Sequence, residues 1–486
     1  LVSRLLSPFR NVREFFRYRP SIHPSELTAA DRQDSLRKLV IAWCLGTVFF
    51  EGISGAPLVG MFRRLGATPF WIGLLVAIPS LSTIMQPAGA YVVARTGSRK
   101  RMLIHTAIPG RLTWLVIPTL GFFFPHNYLV LGLMFSLVLF SRLTISFSSP
   151  AWFSWVSDLV PEDERGSFWG SRQMWARIFG ISAAIMLGWF LGTEPPYYKF
   201  IVFFCLMGFI GWLEIFIHRG VMGIRIPVPT DPPTMAALVL RPLRDKRFLP
   251  IIIFTFSINF ATQIGGGMFS LMMLEEIKFS YFEISVFQVG ILGLVTVLSS
   301  RYVGRVMDNL REGARLVFYF GAIVTSLQAL PWAAIPARAF LPVAGTVILG
   351  GIGWAAYHIA LTGLLMGYSP RDARATYSAM YAVISGIGSA LGAIAGGSIA
   401  EALQGISYEW GPFILTPLRT LYLISFGGRI LALFLLPMIR EPGSIPMGVY
   451  VRQLLSLNPF DRDTYIYIKR KLSPPTSNGR NDSSQH

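Results

Sequence analysis

Twelve apolar stretches, parted by short polar loops, run along the chain from about Leu39 to Pro437. They read roughly as 39–60, 70–93, 102–124, 128–149, 167–191, 198–217, 249–274, 282–303, 315–336, 339–366, 376–401 and 412–438. A hydrocarbon core about 30 Å thick takes roughly 20 apolar residues to cross as a helix. The pattern therefore predicts an all-α membrane protein with twelve transmembrane helices. Spans two, four and ten carry Pro or polar residues inside. Such interruptions are tolerable at membrane depth only where the backbone faces protein or a water-filled cavity.

Charge then orients the spans. Of the 43 Lys and Arg, 33 fall in the two tails and alternate loops, six in the loops between, and four inside spans. Positive residues collect on the cytoplasmic side, so both termini are expected there, in a multi-pass cell (inner) membrane protein. The formal charge of +18 is thus a topology signal. The basic residues are dispersed over loops, which speaks against nucleic-acid binding as the reason for it. The hydrophobic fraction of 53% and mean hydropathy of +0.53 agree with a bilayer as solvent, against roughly 45–50% apolar in soluble domains.

The longest interior polar segment, 218–248, holds Pro227, Pro229, Pro232, Pro233 and Pro242 and a basic cluster at Arg241, Arg244, Lys246 and Arg247. Proline stiffens such a segment and keeps it from one long helix. It parts the chain into a basic N-terminal tail (1–37), a six-helix bundle (38–217), the cytoplasmic linker (218–248), a second six-helix bundle (249–438) and a C-terminal tail (439–486). In the first tail Phe9, Val12 and Phe16 recur at helical spacing opposite Arg10, Arg13 and Arg17, a pattern that suits a helix on an anionic membrane face. A loosely ordered tail that only sets orientation fits as well.

The halves echo each other. Pro161 with Arg165 and Gly166 precedes span five; Pro370 with Arg374 and Ala375 precedes span eleven. Arg95, Gly97, Arg99, Lys100 and Arg101 stand between spans two and three, and Gly304 and Asp308 between spans eight and nine. Repeated six-span units build a midplane site between two rocking bundles in many secondary transporters. On these residues the chain resembles the major facilitator superfamily over 39–438. That family's loop between spans two and three reads G-x-x-x-D-R-x-G-[RK]-[RK]. Arg95, Gly97 and Arg99 match it, whereas Ala90 and Ala94 replace its Gly and Asp. Arg142 in span four, with Pro150, Asp158, Pro161, Arg165 and Gly166, resembles the family's span-four arginine and following loop. The resemblance implies the major facilitator fold, alternating access, gating roles for Arg95, Gly97, Arg99, Arg165, Gly166, Gly304 and Asp308, and no particular substrate.

Candidate site residues are the polar groups kept inside the spans. A charge at the bilayer centre costs roughly 2.5–3.5 kcal/mol even on a lenient scale. Glu51 lies past the middle of span one, with Thr47 and Ser54 on its face, and Arg142 lies well inside span four. The resemblance places both spans beside a central cavity, which implies a Glu51–Arg142 pairing. Glu51 is the leading carrier of a coupling proton, because a carboxylate's proton affinity follows its hydration and the nearness of an arginine. A permanent ion pair that only joins two helices is the plainer alternative. Arg177 is expected at the cytoplasmic half of the cavity. Arg111 and Arg429 lie on spans three and twelve, which the resemblance puts at the periphery, so snorkelling to the interface is expected for them.

In the second half Asn259 and Gln263 share one face of span seven, and Gln288, His358 and Tyr381 stand in spans eight, ten and eleven. Amides and Tyr hydroxyls hydrogen-bond a polar solute while rings stack on it, although tyrosine stripes and single histidines also serve plain helix packing. The expected function is secondary transport of a small solute, with a proton as a further partner and no cofactor or metal. A non-transporting assembly factor or receptor of the same fold is the main alternative. A polytopic enzyme is the remote one: the six His are scattered, and neither H-E-x-x-H nor G-x-x-x-x-G-K-[ST] occurs.

Overall fold

The computed structural model describes residues 18–23, 26–161, 164–224, 241–309, 313–370, 374–410 and 413–439. Among them ten helices are long and apolar enough to cross a bilayer, and the bent pair Ala29–Gly52 and Gly55–Arg64 makes an eleventh when read as one broken span. The expected third span is the 25-residue helix Arg99–Phe123. It has the length, but its basic start, His105 and Arg111 leave it less apolar than the others. The proposed membrane-face helix at Phe9–Phe16 lies outside the described residues.

Helix ends follow local chemistry more closely than they follow apolarity. Span one begins at Ala29, well before the apolar run, because Thr28 accepts a hydrogen bond from the Asp31 N–H and caps the first turn. Span four runs Tyr128–Leu159, past the expected end and through Pro150. Its start is capped by Asn127, whose side chain accepts from the N–H groups of Leu129 and Val130. Gly97 closes the helix Met85–Thr96 in the left-handed region (φ 61°), which glycine enters at no steric cost. Ser280 and Glu283 form a reciprocal capping box at the start of span eight.

Five spans are interrupted along their length. Span one bends by 40° after Gly52. Span two breaks between Pro69–Ser82 and Met85–Thr96, span seven between Leu249–Gly266 and Phe269–Glu275, and span nine between Gly313–Leu327 and Ala329–Trp332. Span eight carries a π-helical turn, Val286–Ile291. Such turns widen the hydrogen-bond ladder and recur at functional sites.

At the face bearing the N-terminal segment, a short strand β1 (Ser21–Ile22) pairs in parallel with β2 (Gly223–Ile224) after span six. Lys100 sits beneath this pair, its Nζ donating to the carbonyls of Arg19 (2.6 Å), Arg219 (2.8 Å) and Val221 (2.6 Å). Three acceptors match the three hydrogens of an ammonium group. Arg99 donates to Asp158 (2.6 Å) and to the Ser154 carbonyl (2.8 Å), tying the loop after span two to the end of span four. Arg172 stacks against Trp43, Trp152 and Trp169, an aromatic cage for a buried cation.

The apolar core is joined at one face and divided at the other. The largest buried cluster draws on both halves, with Phe62, Phe200 and Phe203 from the first and Met272, Phe279 and Tyr281 from the second. It lies at the face opposite the termini. Toward the basic face the core splits. One cluster, around Leu39, Trp155 and Ile215, belongs to the first half, and another, around Phe254, Phe318 and Tyr357, to the second. Leu129, Trp189, Leu341 and Phe434 are 86%, 75%, 85% and 74% exposed, as side chains that lipid covers should be.

Candidate functional site

The joined end is sealed by polar contacts as well as by packing. Arg63 Nε donates to Glu275 Oε1 at 2.5 Å. Glu401 in span eleven accepts from Thr68 Oγ1 (2.7 Å) and from the Phe70 N–H (2.9 Å). It thereby satisfies free donors at the start of span two, where a helix N-terminus favours negative charge. The Tyr281 N–H donates to the Gly192 carbonyl at 3.0 Å, joining the segment after span five to span eight. Spans two and eleven come into backbone contact below: a Cβ on Gly73 would stand 2.5 Å from the Ala393 carbonyl oxygen. Beside this seal, Glu276 accepts from Thr416 and Arg419. Burial pushes its carboxyl above the usual range, partly offset by those two partners.

Behind the seal lies a central cavity of about 540 Å³. The broken spans line it: Ser54 and Gly55 from span one, Pro79 and Ser80 from span two, Gly266 and Gly267 from span seven, Gln288 from span eight and Gln328 from span nine. The irregular backbone thus sits where it faces a cavity, as membrane depth requires. Trp332, Trp354 and Tyr422 supply aromatic wall. A second cavity of about 480 Å³, lined by Pro79, Ser80, His358, Tyr381 and Ser385, continues between spans two, ten and eleven toward the basic face.

The expected site residues divide accordingly. Arg142, Gln263 and Gln288 line the central cavity, and His358 and Tyr381 line the second. His358 stacks on Trp354, ring centroids 5.4 Å apart. Asn259 is in neither lining: its amide donates to the Thr255 carbonyl (2.8 Å) and it meets Ser389 at 3.4 Å. These contacts lie within span seven and between spans seven and eleven. Among the residues expected to gate, Gly97 and Arg99 shape and hold the loop as described. Arg95 lies over the Tyr91 ring at 4.7 Å, and Gly304 has open space around it. The side chains of Arg165 and Asp308 lie outside the described residues, and Gly166 is described only as part of the helix Arg165–Leu191.

Three placements correct the sequence reading. Glu51 and Arg142 form no ion pair in this conformation. Arg142 donates instead to the Ile53 carbonyl and to Ser54 Oγ, both at 2.7 Å. Glu51 turns to a separate crevice with Ala184, Ser285 and Gln288, where the charge acting on it is that of Arg177. The bend after Gly52 presents the Ile53 carbonyl and Ser54 to Arg142, while Ser54 also borders the Glu51 crevice. Arg111 is buried, not snorkelling, and bonds Glu214 at 3.0 Å. Arg429 is 5% exposed and lines the central cavity. It donates to Thr325 O (2.6 Å), Ser425 Oγ (3.1 Å) and Thr262 O (3.4 Å). Gln328 escaped the sequence reading altogether, although a polar residue amid an apolar run, three before Pro331, was the available signal.

A family model described as Major Facilitator Superfamily matches residues 39–393. Solved structures share the fold. A mutant of the nucleoside transporter NupG superposes with a TM-score of 0.65 at 15% identity, covering 83% of this chain and 99% of that one. A POT family transporter in complex with 5-aminolevulinic acid follows at 0.62 and 13%, covering 84% and 96%. A D-xylose-proton symporter gives 0.57 and 12%, covering 84% and 98%. None of the curated proteins compared matches the sequence.

Proposed function

The chain belongs to the Major Facilitator Superfamily, and from that premise we propose that it moves a small solute by alternating access of two six-span bundles, 38–217 and 249–438. The observation that carries this reading is the core joined across the halves at one face and divided at the other. A cavity closed behind Arg63–Glu275 and Glu401 and leading toward the basic face is one end state of such a cycle. The other end state has to break those contacts and bring the divided clusters together. The Arg63–Glu275 pair is weak enough to break, since an exposed ion pair contributes about 0.2–1 kcal/mol.

Cysteines at positions 63 and 275 test the cycle. In proteoliposomes, oxidising the Arg63→Cys/Glu275→Cys protein is expected to stop solute flux, and reduction to restore it. Flux that survives the cross-link rules out opening at this face. We further propose that the basic face is cytoplasmic, from the charge asymmetry. Cysteine labels at Ser3, Thr234 and Ser477 are then all reached from the cytoplasmic side. A label entering any of them from outside reverses the map.

A further inference from the structure

We propose that the central cavity binds a small organic anion, its oxyanion group held between Arg142 and Arg429. The proposal deepens the transport reading of that cavity and rests on it. Both side chains are buried, at 8% and 5% exposure, and both line the same space. One comes from each half of the chain. Among the described residues, no Asp or Glu lines the cavity. Every acceptor that either guanidinium reaches is neutral: a carbonyl and a hydroxyl for Arg142, two carbonyls and a hydroxyl for Arg429. The charge acting on Arg142 is another arginine's, Arg111, and that one is already matched by Glu214.

The contrast with arginines that serve structure is direct. Arg99 has Asp158, Arg111 has Glu214 and Arg419 has Glu276. Arg142 and Arg429 hold full charges at a depth where each is costly, against neutral partners only. Two of the wall residues keep donors that no protein group uses. Arg142 Nε and Tyr422 Oη are buried without a hydrogen-bond partner, and both belong to residues on the cavity wall. The guanidinium fork suits a carboxylate or phosphate, which accepts two parallel N–H bonds.

The cavity's size and remaining walls say that the anion is organic. About 540 Å³ lies within the range of small-molecule sites, and a bare inorganic ion would leave most of it empty. Gln263, Gln288 and Gln328 offer amides to the uncharged part, and Trp332 and Trp354 offer ring faces. An anion gripped by one arginine of each half also draws the halves together, which is the step that closing requires.

The test uses the full chain in detergent, with thermal unfolding and calorimetric titration. The probes are succinate, glycerol 3-phosphate and uridine 5′-monophosphate, beside neutral xylose and uridine and inorganic chloride and phosphate. At least one organic anion is expected to bind, and Arg142→Gln or Arg429→Gln to weaken it about ten- to a hundredfold, the change expected on losing a charged hydrogen bond. Arg429→Lys, which keeps the charge, should lose less. The unliganded variants should melt no lower than the wild type, since each replaces a buried cation without an acidic partner. Binding of none of the organic anions overturns the proposal. So does binding of chloride or inorganic phosphate alone, or equal binding of a neutral probe by wild type and the Arg142→Gln/Arg429→Gln protein. Flux separates the two readings. Arginine-dependent binding without flux in proteoliposomes supports the anion site and removes transport. Flux of xylose or uridine unchanged in the double variant supports transport and removes the anion.

Discussion

Gly73→Val is expected to abolish transport while leaving the protein in the membrane. A Cβ at this position would lie 2.5 Å from the Ala393 carbonyl oxygen and 3.0 Å from the Gly397 Cα. Both neighbours are backbone, so no flexible side chain can yield. From the other helix the same holds, because a Cβ on Gly397 would meet the Pro69 carbonyl at 2.7 Å. The branched side chain must then push spans two and eleven apart at the end where Glu401 reaches Thr68 and Phe70. Overpacking of this kind costs about 1–3 kcal/mol, enough to shift a two-state equilibrium about five- to 150-fold without unfolding the chain. Spin-label distances across the Arg63–Glu275 face should lengthen, and solute flux should fall to background. Gly132→Ala in span four, where a Cβ meets open space, is the control and should transport normally. Wild-type flux by Gly73→Val would show that closure of this face is not needed.

Glu51→Gln should abolish flux driven by a pH gradient, with equilibrium exchange of solute partly intact. Glu51 opens on a crevice between spans one, five and eight, and the pair of spans five and eight changes contact when the halves rock. The Arg177 charge reaches it in this conformation, the part that the sequence reading had reserved for Arg142. A cycle moves protons only if the carboxylate's proton affinity differs between its two end states, and an intermittent arginine supplies such a difference. Arg177→Gln should therefore also slow gradient-driven flux, whereas the solute affinity should stay near the wild-type value. Gradient-driven flux by Glu51→Gln at the wild-type rate would place the proton elsewhere or make the protein an uncoupled facilitator.

The bilayer as solvent was legible in the residues themselves. Apolar runs of about 20 residues have no other low-energy environment than lipid or a buried core, and twelve in one chain exceed any soluble core. The proline-rich segment 218–248 stood out for a similar reason, since so polar a segment cannot cross lipid. Apolarity marks the bilayer, however, and not the helix. Span one therefore began earlier than its apolar run, where the Thr28 cap decided, and span four ran on past its own to Leu159.

Which intramembrane charges face each other was decided by the tertiary structure alone. A periodic pattern places Glu51 and Ser54 close on one helix, but the helix bends by 40° after Gly52, and Arg142 takes the Ile53 carbonyl and Ser54 instead of the carboxylate. Arg111 and Arg429 look alike in sequence, each a lone cation in an apolar run. The fold gives one of them Glu214, over a hundred positions away, and gives the other a cavity wall without an acid. Pairing across such separations depends on how helices rotate and lean against their neighbours, and the information for that is spread over the packing of every span. The residues determined that charges would be kept in the membrane, because keeping them there is costly; only the packed helices determined what each charge meets.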